Sequence, residues 1–99
     1  MNTWYAAKLL FESSVDDGSN ESPLLEESIR VLQADSVETA QTKALEIGSA
    51  AEHSYLNELG QSVRWAFVSL LELQDLRETE LADGTEIFSR LYRRDSSGA

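Results

Sequence analysis

The chain's only histidine, His53, is its one candidate for imidazole acid–base work or imidazole metal ligation. Ser49 and Asn57 lie four residues to either side, and Glu46 lies two turns back. On a helix these residues share one face, so His53 and Asn57 form a candidate polar site there. A metal held by His53 and Glu46 needs further ligands from elsewhere, so neither a metal nor another cofactor is expected. Glu26 and Glu27 are adjacent on a strand pattern and point to opposite faces, which prevents their acting as a catalytic pair. The absence of cysteine excludes disulfides, zinc–cysteine sites and thiol catalysis. No Gly-x-Ser-x-Gly, P-loop, His-Glu-x-x-His or Gly-x-Gly-x-x-Gly pattern occurs. No catalytic residue is therefore assigned.

A second group of residues mixes charge with aromatic surface. Lys8 and Arg64 fall within strand patterns made otherwise of apolar residues, where an unpaired charge is costly. Cross-strand pairs of Lys8 or Arg64 with Glu72 or Glu86 are the expected solution. Glu86, Phe88, Arg90 and Tyr92 share one side of a last predicted strand. Together with Trp4, Lys8 and Trp65 they make a candidate binding or interface surface.

The elements that position these groups follow from periodicity. Trp4 to Glu12 reads as a strand with Tyr5, Ala7, Leu9 and Phe11 on one face and Trp4, Ala6, Lys8 and Leu10 on the other. Residues 13–23 are polar and turn-rich. A second strand spans roughly Leu24 to Gln33, with Leu25, Ile29 and Val31 opposed to Glu26, Ser28 and Arg30, a half-buried edge pattern. Asp35 with Glu38 reads as a capping box opening a helix over about Ser36 to Asn57. Val37, Ala40, Ala44, Ile47, Ala51 and Tyr55 fall within a helical stripe about 80° wide. Its alanines, with Gly48 on the border, suit a helix lying close on a sheet. That helix points His53 toward solvent.

Val63 to Leu73 alternates Trp65, Phe67, Ser69 and Leu71 against Ala66, Val68 and Leu70, again apolar on both faces. Leu76 to Gly84 is a charged linker anchored by Leu81 and closed by an Asp83-Gly84 turn. The last strand is predicted over about Thr85 to Arg93. These elements make one domain over residues 1–94, and residues 95–99 are expected to be a disordered tail.

Two hairpins flank a helical crossover, and the doubly apolar first and third strands belong in the centre. The predicted fold is α+β, ββαββ, a four-stranded antiparallel sheet ordered 2-1-3-4 with one helix on one face. One helix covers one face of that sheet. The other is left with a large apolar and aromatic set, which monomers seldom expose. The expected occupant is a second copy of the chain, with the linker and the 13–23 loop as the alternative cover. Burying ~600 Å² of apolar area per partner at ~25 cal/mol/Å² is a gross term of about 15 kcal/mol, enough to survive the costs of association.

Composition narrows the partners further. The chain has 99 residues and a net charge of −10, which opposes general nucleic-acid binding, because a phosphate backbone demands a basic footprint. The basic cluster Arg90, Arg93 and Arg94 is offset by Asp95. The start lacks the pattern of a signal peptide, and the apolar runs are too short for a transmembrane helix. A cytoplasmic protein without membrane or nucleic-acid partners is expected.

Trp4-Tyr5-Ala6-Ala7-Lys8-Leu9, Glu26-Glu27-Ser28-Ile29, Glu52-His53-Ser54-Tyr55 and Asp83-Gly84-Thr85-Glu86-Ile87-Phe88-Ser89-Arg90 together resemble a small bacterial family, domain-of-unknown-function family 4288. The resemblance runs from Trp4 to about Arg93. It implies a bacterial, cytoplasmic, stand-alone domain and carries no activity with it.

Three functions are compatible with these features. The first is a non-enzymatic, acidic protein-interaction module that forms a homodimer through the open sheet face. The second is a small-ligand-binding protein or enzyme with an aromatic pocket on that face, around Trp4, Trp65, Arg90 and Tyr92. The third is an immunity-type inhibitor of a basic protein partner, for which the acidity and small size are suited.

Overall fold

A computed structural model describes residues 1–16, 18 and 23–94. Four strands and one helix follow the order β1 (Thr3–Val15), β2 (Leu25–Ala34), α1 (Val37–Ala50), β3 (His53–Leu56) and β4 (Ser62–Asp75). They form one antiparallel sheet ordered β2-β1-β4-β3, with α1 packed on one face. The fold is α+β, as expected, and the doubly apolar strands are its centre. The second strand is at an edge, also as expected.

The other edge is a correction. Thr85 to Arg93 is not a strand, and the fourth strand is His53–Leu56, a segment assigned from its pattern to the end of the helix. The helix stops at Ala50, with Ala51 as its C-cap. Asn57 and Gly60 explain why. The Asn57 carboxamide oxygen accepts from the backbone N–H groups of Leu59 and Gln61, each at 2.9 Å. Its own N–H donates to the Gln61 carbonyl, and Gly60 takes a φ of 77°. An Asx turn of this kind reverses the chain tightly and pairs His53–Leu56 with Ser62–Trp65. The tail at 95–99 lies outside the described residues.

The start of the helix differs by one residue. Ser36, rather than Asp35, is the N-cap, and its hydroxyl accepts the Thr39 N–H at 3.1 Å. Ala40, Ala44 and Gly48 are buried against the sheet, with Ile47 and Ala51 beside them. Val37 and Tyr55, expected in the same stripe, are exposed.

Gly48 is where helix and sheet come closest. A Cβ built there would lie 2.6 Å from a ring carbon of Phe67. Close packing, not a break in the helix, accounts for this glycine. Gly48→Ala is therefore expected to destabilise the protein by about 1–3 kcal/mol through overpacking, although alanine is the better helix former. Urea denaturation of the two proteins side by side checks the sign.

The core lies between α1 and one face of the sheet. Tyr5, Ala7, Leu9 and Phe11 of β1 point into it, with Leu32 and Ala34 of β2. From β4 it receives Trp65, Phe67, Leu70 and Leu73, a spacing that no simple alternation yields. Two register shifts, at Lys8/Leu9 and Leu10/Phe11, leave Leu71 and Val68 without partners on β1. Each extra residue is a β-bulge that moves the next inward side chain one position along. The expected grouping of Trp65 and Phe67 with Ser69 and Leu71 is corrected accordingly.

Candidate interaction surface

The face of the sheet turned away from α1 is built from the alternate positions of β1 and β2. Trp4, Ala6, Lys8 and Leu10 stand beside Gln33, Val31, Ile29 and Glu27 in the antiparallel register. Trp4, Lys8 and Leu10 are half-buried there, and Ala6 is buried. Ile29 and Val31 remain 39% and 38% exposed. The apolar side of β2 thus faces away from the helix, except at its end, where Leu32 and Ala34 enter the core.

Lys8 organises the middle of this surface. Its ammonium group lies 3.0 Å from the Glu27 carboxylate and 4.5 Å from the centre of the Phe88 ring. The pair is cross-strand, as expected, but Glu27 is the partner in place of Glu72 or Glu86, because it stands diagonally from Lys8 on β2. Arg64 likewise reaches Glu52, at 3.9 Å. The same Glu52 carboxylate accepts the Phe67 N–H at 2.9 Å. Phe88 is half-buried by its seat on Lys8.

The remaining predicted residues do not converge on this point. Trp65 packs on the helix side of the sheet, whereas Trp4 occupies the opposite face. The two indoles therefore do not line a common pocket. Glu86, Arg90 and Tyr92 are exposed, and the Arg90 guanidinium lies 5.3 Å from the centre of the Tyr92 ring. They follow β4 in a segment whose backbone bonds to the sheet at its start, where Leu76 donates to the Trp4 carbonyl and Trp4 donates to that of Glu78.

His53 is not on the helix. It opens β3, stacks with Tyr55 at 6.1 Å and has its Nδ1 3.0 Å from the Ala51 carbonyl. Asn57 spends its side chain on the turn, including a 2.9 Å bond from its amide to the Gln61 side chain. The two residues serve the hairpin and do not share the polar face expected of them. Among the described residues, no three His, Asp or Glu side chains come together as a metal site. Shallow depressions along the outer side of α1, bordered by Thr42, Leu45, Glu46 and Ser49, contain none of the predicted site residues.

Pattern reading missed Glu27 as the partner of Lys8 and Glu52 as a cap on the edge of β4. The first was available from the register of the β1–β2 hairpin, once its loop length was known. The second depends on the break in the helix after Ala51, which only the Asn57–Gly60 turn signals.

The molecule thus defined is an antiparallel α+β domain with one covered face and one partly covered face. The model of the family described as Domain of unknown function (DUF4288) matches residues 4–89. The chain belongs to that family, and the residues of β1, β2, α1, β3 and β4 all fall within the match except Thr3. No curated protein and no solved structure shows a significant match. Among the described residues no helix is long and apolar enough to cross a membrane, a statement that leaves β-barrels aside.

Proposed function

We propose that the protein is a non-enzymatic interaction module that works as a homodimer, two copies packing through the sheet face opposite α1. A cytoplasmic, bacterial setting is part of the same proposal. The observation that carries it is surplus surface. The chain exposes 7488 Å², whereas a compact monomer of its mass exposes about 5,600 Å². Its radius of gyration is 17.5 Å, against about 12.6 Å for a compact domain of this length. The surplus is about 1,900 Å², shared between the sheet face, the β3–β4 turn and the segment after β4, and a subunit of an obligate dimer buries an area of this order. Ile29 and Val31 are among the exposed apolar side chains and lie on this face.

Phe88 covers part of this face and so performs some of the task expected of the linker. It leaves the β2 side open. A strongly acidic body suits a basic protein as an additional partner, which is the inhibitor reading in its general form. The aromatic-pocket reading has less support, since Trp4 and Trp65 lie on opposite faces.

Trp4 provides the test. In a Trp65→Phe chain it is the sole indole, and it stands on the proposed contact face. Dilution is expected to raise its acrylamide quenching as the dimer dissociates. Quenching that is constant across micromolar to nanomolar chain, at the level of a partly exposed indole, contradicts the proposal.

A further inference from the structure

We propose that residues 85–94 are an arm exchanged between two copies of the chain, each arm pairing as a strand along the uncovered edge of β4 in the other copy. This deepens the self-association proposed above and rests on it.

The arm has the pattern of a strand without the pairing of one. Ile87, Ser89 and Leu91 alternate with Glu86, Phe88, Arg90 and Tyr92, yet no ladder includes them. Phe88 touches down on Lys8, and the residues beyond it leave the surface. Leu91 is 97% exposed and Tyr92 80%. An alternating segment whose residues beyond Phe88 stand clear of their own fold has the form of a strand whose partner is elsewhere.

The acceptor edge is also present. β3 pairs with β4 only from Ser62 to Trp65, whereas β4 continues to Asp75. The Phe67 N–H is satisfied by Glu52. From Val68 to Leu73 the outer side of β4 has no neighbouring strand among the described residues, and four of those six residues are apolar. The opposite edge of the sheet is less receptive. β2 carries Glu26, Glu27 and Arg30, and Lys43 occupies the Gln33 carbonyl at 2.7 Å.

Charge selects a second copy as the occupant. Three arginines against Glu86 and Asp95 give the chain from Thr85 onward a net charge of +1, leaving −11 on residues 1–84. Each arm is thus complementary to the body of another copy, and Glu72, Asp75 and Glu78 lie at or near the acceptor edge. A two-fold arrangement uses both arms and both edges and leaves neither unpaired.

The absence of native cysteine makes cross-linking clean. Full-length Val68→Cys and Ser89→Cys chains are mixed in equal amounts and treated with a short bismaleimide. The expected product is a mixed dimer of about 22 kDa, twice the 11.0 kDa of the chain. Ser49→Cys, on the outer side of α1, replaces Val68→Cys in the control and is expected to give none. Ser89→Pro, which removes one ladder N–H from the arm, is expected to weaken the dimer at least tenfold with an unchanged far-UV spectrum. A dimeric wild type with no Val68–Ser89 product and an unaffected Ser89→Pro dimer overturns the exchange and leaves self-association standing. A cross-link that forms only within a doubly substituted monomer also overturns it. A wild type that is monomeric throughout removes both proposals.

Discussion

Phe11→Ala is expected to lower the stability of the protein by about 3–5 kcal/mol, the range for truncating a buried phenylalanine. Phe11 is buried on the central strand, and its ring meets that of Phe67 at a centroid distance of 5.7 Å. Phe67 is also the ring on which Gly48 rests. The truncation therefore opens a cavity where helix and sheet are closest. Small domains have total stabilities of about 5–15 kcal/mol, so the variant is expected to be marginal. Leu59→Ala, on the exposed turn of the β3–β4 hairpin, is expected to stay within about 0.5 kcal/mol of the wild type. Urea denaturation at one fixed chain concentration checks both, because a dimer's apparent stability depends on concentration. A Phe11→Ala midpoint equal to that of Leu59→Ala contradicts the placement of the core.

The double substitution Ile29→Asp and Val31→Asp is expected to convert the dimer to a monomer. Both side chains are partly exposed on the face away from α1, so the isolated domain tolerates carboxylates there at little cost. Packed against a second copy, the same carboxylates lose water, and the one cation beside them, Lys8, is already paired with Glu27. The Glu27 carboxylate already stands on this face beside Lys8, adding like-charge repulsion. The dissociation constant is expected to rise at least about 100-fold, equivalent to about 2.7 kcal/mol. Sedimentation velocity measures the change, and an unaltered far-UV spectrum excludes unfolding as its cause. A variant that remains as dimeric as the wild type places the contact elsewhere.

The legible parts of the molecule are those where local pattern and tertiary environment agree. β1 and the central part of β4 are apolar on both sides, and that property alone puts them in the middle of the sheet. The polar alternation of β2 marks an edge. The small residues Ala40, Ala44 and Gly48 signal a helix lying close to that sheet.

The errors fall where those levels disagree. His53–Leu56 is only four residues long, exposed at every position, and follows a good helix without an intervening proline or glycine. Its strand conformation comes from the Asn57–Gly60 turn behind it. The Val68 and Leu71 bulges change which residues face inward, and alternation cannot foresee an extra residue. Residues 85–93 have a strand pattern but pair with no strand among the described residues. A pattern encodes which sides of a segment are apolar, whereas pairing depends on which edge is within reach. The same limit applies to the candidate surface. Lys8 and Phe88 meet, but Trp65 and Trp4 are separated by the sheet itself.

The proposed homodimer is tested most directly by its solution mass. Light scattering on a sizing column, over a hundredfold range of chain concentration, is predicted to give about 22 kDa, twice the chain mass of 11.0 kDa. An 11.0 kDa species at every concentration would contradict it.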